Sequence, residues 1–274
     1  FRNKEVLLSF NGVDYKAMVY VNGSMVAVHE GGYTPFHIPV SAYLKRGKNV
    51  IALRVEDYHD TAQPRGKQIW TETNHGCWYT ASSGIWKDVW LQITGKEYIE
   101  ACRITPDLNN RMAHLEIDYP NTFSGKGKLA IELLYNGKHV NTMTLETEAY
   151  RQHVHLHVTQ PHSVDDIHTW SPEKPNLYDV ALSLYDEAGS LCDKVVTYFG
   201  MRDVSIRNGQ ILLNNRPIYQ KLILDQGYWD ESLLTPPDKE ALKKDLGLAK
   251  SMGFNGVRKH QKIEDPWLDR KSVV

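Results

Sequence analysis

The chain has 274 residues, enough for two domains or a little more at roughly 100–150 residues each. Hydrophobic residues make up 41% and charged residues 24%, the balance of an ordinary globular protein. A net charge of −1 argues against a general nucleic-acid or anionic-membrane binder, and no apolar run approaches the roughly 20 residues that cross a bilayer.

The chain opens at Phe1-Arg2-Asn3, with neither an initiator Met nor a signal peptide, close to a strand-like run at 6–10. Residues 15–21 predict a strand that runs into Asn22-Gly23, a strong tight-turn signal, before 25–28 returns. Residues 49–55 are β-rich after the turn at 45–48, and 89–93 alternate and stop at Gly95. Nothing here keeps a helical period for three turns, so 1–97 read as an all-β sandwich missing its opening strands.

A second β series follows at 99–104, 113–119, 128–135, 153–158, 178–185 and 194–199, with turn signals at Asn136-Gly137 and Glu187-Ala188-Gly189. Residues 98–201 therefore predict an immunoglobulin-like β-sandwich, in architecture only, because no Cys–Trp–Cys spacing marks a true immunoglobulin domain. His153, His155 and His157 alternate and so share a strand face. With no fourth ligand at useful spacing, a solvated face is expected there rather than a metal site. Cys77, Cys102 and Cys192 are odd in number and lack CxxC or Cys/His ligand spacing. Buried or half-buried free thiols are expected, compatible with a reducing compartment without establishing one.

The pattern changes near 202. Residues 206–213 contain Asn208-Gly209 and predict a small hairpin, and 219–224 predict an apolar strand. A helix should follow Thr235-Pro236-Pro237, with Asp238 as N-cap, Leu242, Leu246, Ala249 and Met252 along one face, and Gly253 as C-terminal cap. Residues 254–258 predict a second short strand. Strand, helix, strand implies a parallel βαβ unit with a right-handed crossover, whose faces and edges want a larger α/β partner. The last six residues, 269–274, match the conceptual translation of a common sequencing adapter. We therefore expect an open reading frame from an unfinished metagenomic fragment with an artefactual end, against an ordinary frayed tail.

Four segments carry a resemblance to a known family. They are Val21-Asn22-Gly23 followed by His29-Glu30-Gly31-Gly32-Tyr33-Thr34-Pro35-Phe36; Ser83-Gly84-Ile85-Trp86-Lys87-Asp88-Val89-Trp90-Leu91; Trp170-Ser171-Pro172-Glu173-Lys174-Pro175-Asn176-Leu177-Tyr178; and Phe199-Gly200-Met201-Arg202 with Leu212-Leu213-Asn214-Asn215-Arg216-Pro217. These resemble signature stretches of the family 2 glycoside hydrolases, the group of β-galactosidases, β-glucuronidases and β-mannosidases, and the match runs to about Leu268. The resemblance implies a mainly β chain: a jelly-roll sugar-binding domain over 1–97, an immunoglobulin-like β-sandwich over 98–201, and the first βαβ unit of a truncated (β/α)8 barrel over 202–268. The motif glycines and prolines are turn formers in themselves, and Trp86 and Trp90 are expected in core or interdomain packing.

The family resemblance implies retaining hydrolysis of β-linked O-glycosides by two glutamates roughly 5–5.5 Å apart. It places them at the ends of barrel strands 4 and 7. Only strands 1 and 2 are reached here, and no Asn-Glu, the usual acid/base motif, occurs. No catalytic residue is therefore assigned. No cofactor is implied; some relatives bind metal ions, but no ligands for one are visible. A carbohydrate substrate is the expected partner, and a homo-oligomer is compatible with the intact enzyme.

Candidate substrate-binding residues are Asp225, Arg258 and His260 at the two strand ends, with Trp78 and Tyr79 in the aromatic loop 70–79. Arg258 matches the family's strand-2 arginine, near the nucleophile; a structural ion pair is the competing reading. Trp78 and Tyr79 would line the pocket mouth, or Trp78 would simply pack. The chain departs from the family's "R.SHYP" with Lys259-His260-Gln261-Lys262 after Arg258, and Asp225-Gln226 replaces an "N.HE"-like ending. The substrate of the standard β-galactosidases therefore does not transfer. Asp230, Glu231, Glu264 and Asp265 are expected to cap helices or solvate loops. The alternative from another class is a non-catalytic carbohydrate-binding or structural β-sandwich protein, against which the unfinished βα repeat argues.

Overall fold

The computed structural model describes residues 4–58, 60–148, 150–159, 167–266 and 268. They form two compact units, one of Glu5–Ile93 with the segment from Gln220 onward, the other of Thr94–Tyr219.

The first unit begins with β1 (Glu5–Phe10), β2 (Val13–Asp14), β3 (Lys16–Val21), β4 (Ser24–Glu30), β5 (Phe36–Pro39), β6 (Ile51–Glu56), β7 (Gly84–Ile85) and β8 (Val89–Thr94). They form two three-stranded sheets, in orders β5-β1-β8 and β4-β3-β6, and a short β2–β7 pair. Period-two patterning builds the core. Ala17, Val19 and Val21 of β3 point inward and meet Val6, Leu8 and Phe10 of β1 with Ile38 and Val40, so the two sheets share one apolar layer. The β3–β4 turn is Asn22-Gly23, at φ 51° and 88°, the pair of positive values that a type I′ hairpin requires. Trp86 is buried, and Trp90 is 37% exposed, so of the two expected settings Trp90 is not in the core. Its strand β8 is the sheet's edge, and Val89, Leu91 and Ile93 are exposed beside it.

The second unit contains β9 (Ala101–Asp107), β10 (Met112–Asp118), β11 (Lys128–Tyr135), β12 (Lys138–Glu146), β13 (Arg151–His157), β14 (Tyr178–Tyr185) and β15 (Leu191–Phe199). Sheets β13-β10-β9 and β12-β11-β14-β15 are antiparallel throughout. Leu115, Ile117, Val154 and Leu156 of the first pack with Leu129, Ile131, Leu133, Leu182 and Leu184 of the second. Each such side chain, fully buried, contributes about 1.5–3 kcal/mol of transfer free energy. β12 is absent from the strands read from sequence; its Asn, Thr and Lys content hides the alternation, although Asn136-Gly137 (φ 50° and 73°) forms the hairpin leading into it.

Short strands β16 (Val204–Arg207), β17 (Gln210–Leu213) and β18 (Arg216–Pro217) follow, turning at Asn208-Gly209. Here the third and fourth signature segments meet. The backbone N–H of Trp170 donates to Met201 O at 2.9 Å, and Asn214 Nδ2 donates to Trp170 O at 2.9 Å. The Arg202 guanidinium lies 4.9 Å from the Trp170 ring centroid, and a Cβ on Gly200 would come within 3.0 Å of the Trp170 side chain.

The chain then returns to the first unit with β19 (Leu222–Asp225), α1 (Lys239–Ser251) and β20 (Gly256–Lys259), in which β19 and β20 pair in parallel. Asp238 caps α1, accepting from Ala241 N at 2.7 Å, and Gly253 closes it at φ 86°. Leu242 is buried and Leu246 and Ala249 half-buried, whereas Met252, the C-cap residue, is 68% exposed and leaves the predicted stripe. The three cysteines are free. Cys102 and Cys192 are half-buried, burial pushing the Cys102 thiol up to about 11, but Cys77 is exposed because the aromatic loop carries it to the surface.

Candidate active-site surface at the ends of β19 and β20

Parallel register sets Leu224 beside Arg258 and Asp225 beside Lys259. Lys259 Nζ donates to Asp225 Oδ2 at 2.7 Å, while Asp225 Oδ1 accepts from Gly227 N at 2.8 Å and turns the chain out of β19. The backbone N–H of His260 donates to Asp225 O at 2.9 Å. Lys259 Nζ also lies 2.7 Å from Glu264 Oε1, to which Lys262 Nζ approaches within 3.0 Å. Two ammonium groups thus face two carboxylates.

Glu264 does not solvate a loop, as expected from sequence; its side chain is 2% exposed and that of Lys262 1%. The two lysines make that burial tolerable, since an unpaired carboxylate in the interior would cost several kcal/mol. Burial pulls the Lys262 ammonium below the usual lysine range, an effect that Glu264 opposes. Lys262 Nζ donates further to Gly227 O at 2.5 Å and to Leu234 O at 2.7 Å, tying the segment after β20 to the segment after β19.

The β-sandwich of the same unit forms the other wall. Tyr79 donates its hydroxyl to Gln226 Oε1 at 2.6 Å, and its ring stacks on Tyr228 at 4.2 Å and 7°. Lys87 Nζ donates to Glu264 O at 3.1 Å, and Thr235 Oγ1 to Trp86 O at 2.9 Å. Trp86 Nε1 donates to Gly32 O at 2.7 Å, so the first two signature segments are also in contact.

Beside this wall lies a cavity of about 480 Å³, lined among others by Tyr33, Arg65, Gln261 and Lys262. The Arg65 side chain is 5% exposed. Its Nη1 donates to Asp57 Oδ1 at 3.0 Å and to Tyr58 O at 2.6 Å. Its Nε and Nη2, with the Tyr33 hydroxyl, have no hydrogen-bond partner among the described residues.

The structure therefore brings Asp225 and Tyr79 to the same strand end, joined through Gln226 and Tyr228. Arg258 is exposed and, by strand alternation, on the face opposite Asp225 and Lys259. His260 is half-buried, with an Nδ1 that lacks a partner among the described residues. Trp78 packs edge-on against Trp70 at 4.7 Å, with Lys67 Nζ 4.3 Å from its ring centroid. The sequence reading left out Arg65, whose Pro-Arg-Gly setting reads only as a loop, and the pairing of Lys259, Lys262 and Glu264.

Residues 1–94 match the family described as "Glycosyl hydrolases family 2, sugar binding domain", and residues 97–202 match "Glycosyl hydrolases family 2". The chain belongs to glycosyl hydrolase family 2. Over 98% of its length it is 30% identical to a β-galactosidase of Thermoanaerobacter pseudethanolicus, covering 36% of that protein. A putative β-glucuronidase of Formosa agariphila is 28% identical over 96% of the chain, which covers 31% of it. Among solved structures, a β-glucuronidase of Bacteroides uniformis superimposes with a TM-score of 0.78 at 21% identity, covering 99% of this chain and 33% of the other. A family 2 member from Bacteroides cellulosilyticus gives 0.74 at 22% identity, covering 99% and 37%. The chain thus spans about a third of the length of these relatives.

Proposed function

We propose that this chain is the sugar-binding front of a retaining β-glycosidase acting on β-linked O-glycosides. The observation that carries the reading is the reach of Tyr79, from a β-sandwich loop, to Gln226 and Tyr228 at the C-terminal end of β19. Barrel enzymes place their sites at that end of the strands. Leu222 at 37% and Leu224 at 55% exposure support a larger sheet around the β19–β20 pair. On this reading, 1–97 form the jelly-roll domain, 98–201 the immunoglobulin-like domain and 202–268 the opening of the catalytic barrel.

Asp225 and Lys259 would hydrogen-bond sugar hydroxyls. Tyr79 and Tyr228 would present an aromatic wall to a sugar face, and His260 and Trp78 would flank the substrate, while Arg258 lies on the other strand face. The chemistry belongs to two glutamates on later strands: protonation of the leaving oxygen, formation of a glycosyl-enzyme, then hydrolysis. Sequencing the coding DNA past the codon for Leu268 tests this. Continued βα repeats with an Asn-Glu on the fourth strand and a glutamate on the seventh are expected. A stop codon within a few residues would sink the reading for this chain.

A further inference from the structure

We propose that His114 and His155 form a two-histidine site for a divalent transition-metal ion of the zinc, copper or nickel type, on the outer face of sheet β13-β10-β9. The two residues are register partners on β10 and β13. Their Nδ1 atoms face each other at 2.5 Å, with the rings 4.7 Å apart and 82° to one another. On the far side of the first ring, His114 Nε2 lies 3.3 Å from Asp107 Oδ2.

That carboxylate selects the tautomer. Asp107 Oδ1 accepts from Asn110 N at 3.0 Å and Oδ2 from Asn110 Nδ2 at 2.7 Å, and the same Oδ2 faces His114 Nε2, so the carboxylate acts as the acceptor there. The proton of a neutral His114 therefore sits on Nε2, and its Nδ1 lone pair points at His155. A carboxylate behind a histidine whose other nitrogen faces outward is the arrangement that orients metal-binding imidazoles. Without metal, His155 Nδ1–H donates to His114 Nδ1. On binding, neutral His155 moves its proton through solvent from Nδ1 to Nε2, and both Nδ1 lone pairs turn to the ion with no change in protein charge.

Two nitrogens on a tetrahedral ion at 2.0–2.1 Å are about 3.3 Å apart, so the rings need to part by under about 1 Å. His155 is exposed and the His114 side chain 36% exposed, so both rings border solvent. Imidazole nitrogen suits zinc, copper and nickel in preference to hard cations. Among the described residues no group of three His, Cys, Asp or Glu side chains is placed to hold an ion, so water completes the shell. The sequence pattern of His153, His155 and His157 leads to a different trio. Only the middle residue has a cross-strand histidine opposite it, as His153 faces Glu116 and His157 faces Met112.

Calorimetric titration of the whole 274-residue chain with zinc chloride tests the site. One zinc per chain is expected, lost in His155→Ala and in His114→Ala, and weakened about 10–100-fold in Asp107→Asn. The His153→Ala/His157→Ala double variant should bind as the parent does. Circular dichroism melting checks that each variant folds. Copper(II) electron paramagnetic resonance on the parent chain, independent of any variant, should show two coordinated nitrogens. No binding, binding that survives His155→Ala in a folded chain, or loss in the His153/His157 variant would overturn the proposal.

Discussion

Asp14 Oδ1 occupies the space that a side chain on Gly32 would need: a Cβ built there would lie 2.3 Å away. The second glycine of the Gly-Gly-Tyr signature is thus set by a buried carboxylate rather than by its turn. The same glycine supplies the carbonyl that accepts from Trp86, so one residue joins β2, the signature loop and the approach to β8. Gly32→Ala should destabilise the first unit by about 1–3 kcal/mol, the usual cost of overpacking. In an Asp14→Ala background the same change should cost less, and urea denaturation of the four-variant cycle measures the difference.

Asp14 also predicts a pH dependence. Burial pushes its carboxyl from 3.8 up to about 6, although Gln68 donates to it at 2.7 Å. A carboxyl whose folded pKa is raised binds its proton more tightly in the folded state. Its stabilisation is fully present below pH 3.8 and is lost as pH rises through about 6. At about 1.4 kcal/mol per pH unit the window is worth about 3 kcal/mol at most. Asp14→Asn should remove this component, seen as a parent-minus-variant stability difference that falls between pH 4 and pH 6 and is flat above about pH 7.

Glu264→Ala should cost about 3–5 kcal/mol, because it strands the buried Lys262 ammonium and removes one of the two carboxylates around Lys259. Replacing both Glu264 and Lys262 by apolar residues should cost less than the two single losses combined. Denaturant midpoints for the four chains provide the check.

Asn214 predicts a separate loss in the second unit. It adopts φ 52°, donates from Nδ2 to Trp170 O, and accepts from Asp203 N at 3.0 Å. Asn214→Ala gives up both side-chain bonds and places alanine in a left-handed conformation, for a cost of about 1–3 kcal/mol. Amide exchange should locate the loss at the Asp203 N–H, not at Gln226.

Local chemistry was legible in the sequence where the structure is itself local. Asn22-Gly23, Asn136-Gly137 and Asn208-Gly209 are turns with the expected positive φ, and Asp238 and Gly253 cap the helix where they should. Partnerships that close only in three dimensions were not. Tyr79 and Gln226 are 147 positions apart, and Glu264 reads as surface because nothing in its neighbourhood reveals that two lysines will enclose it. For Trp90 the sequence left core and interdomain packing open, because periodicity does not distinguish an edge strand from a central one. The Asp225–Lys259 pair needed the parallel register; once β19 and β20 are aligned, the lysine that looked like a departure from the family pattern is the residue opposite Asp225.

The division of the chain also sets a timetable for synthesis. Thr94–Tyr219 is one uninterrupted stretch, so the second unit has all its residues as soon as Tyr219 leaves the ribosome. The first unit starts earlier and finishes later, because Trp86, Lys87 and Tyr79 await Thr235, Glu264, Gln226 and Tyr228. At about 5–20 residues per second, the intervening stretch delays those contacts by roughly 6–25 seconds. Throughout that interval the nascent amino-terminal sandwich stands with the Trp86 wall uncovered.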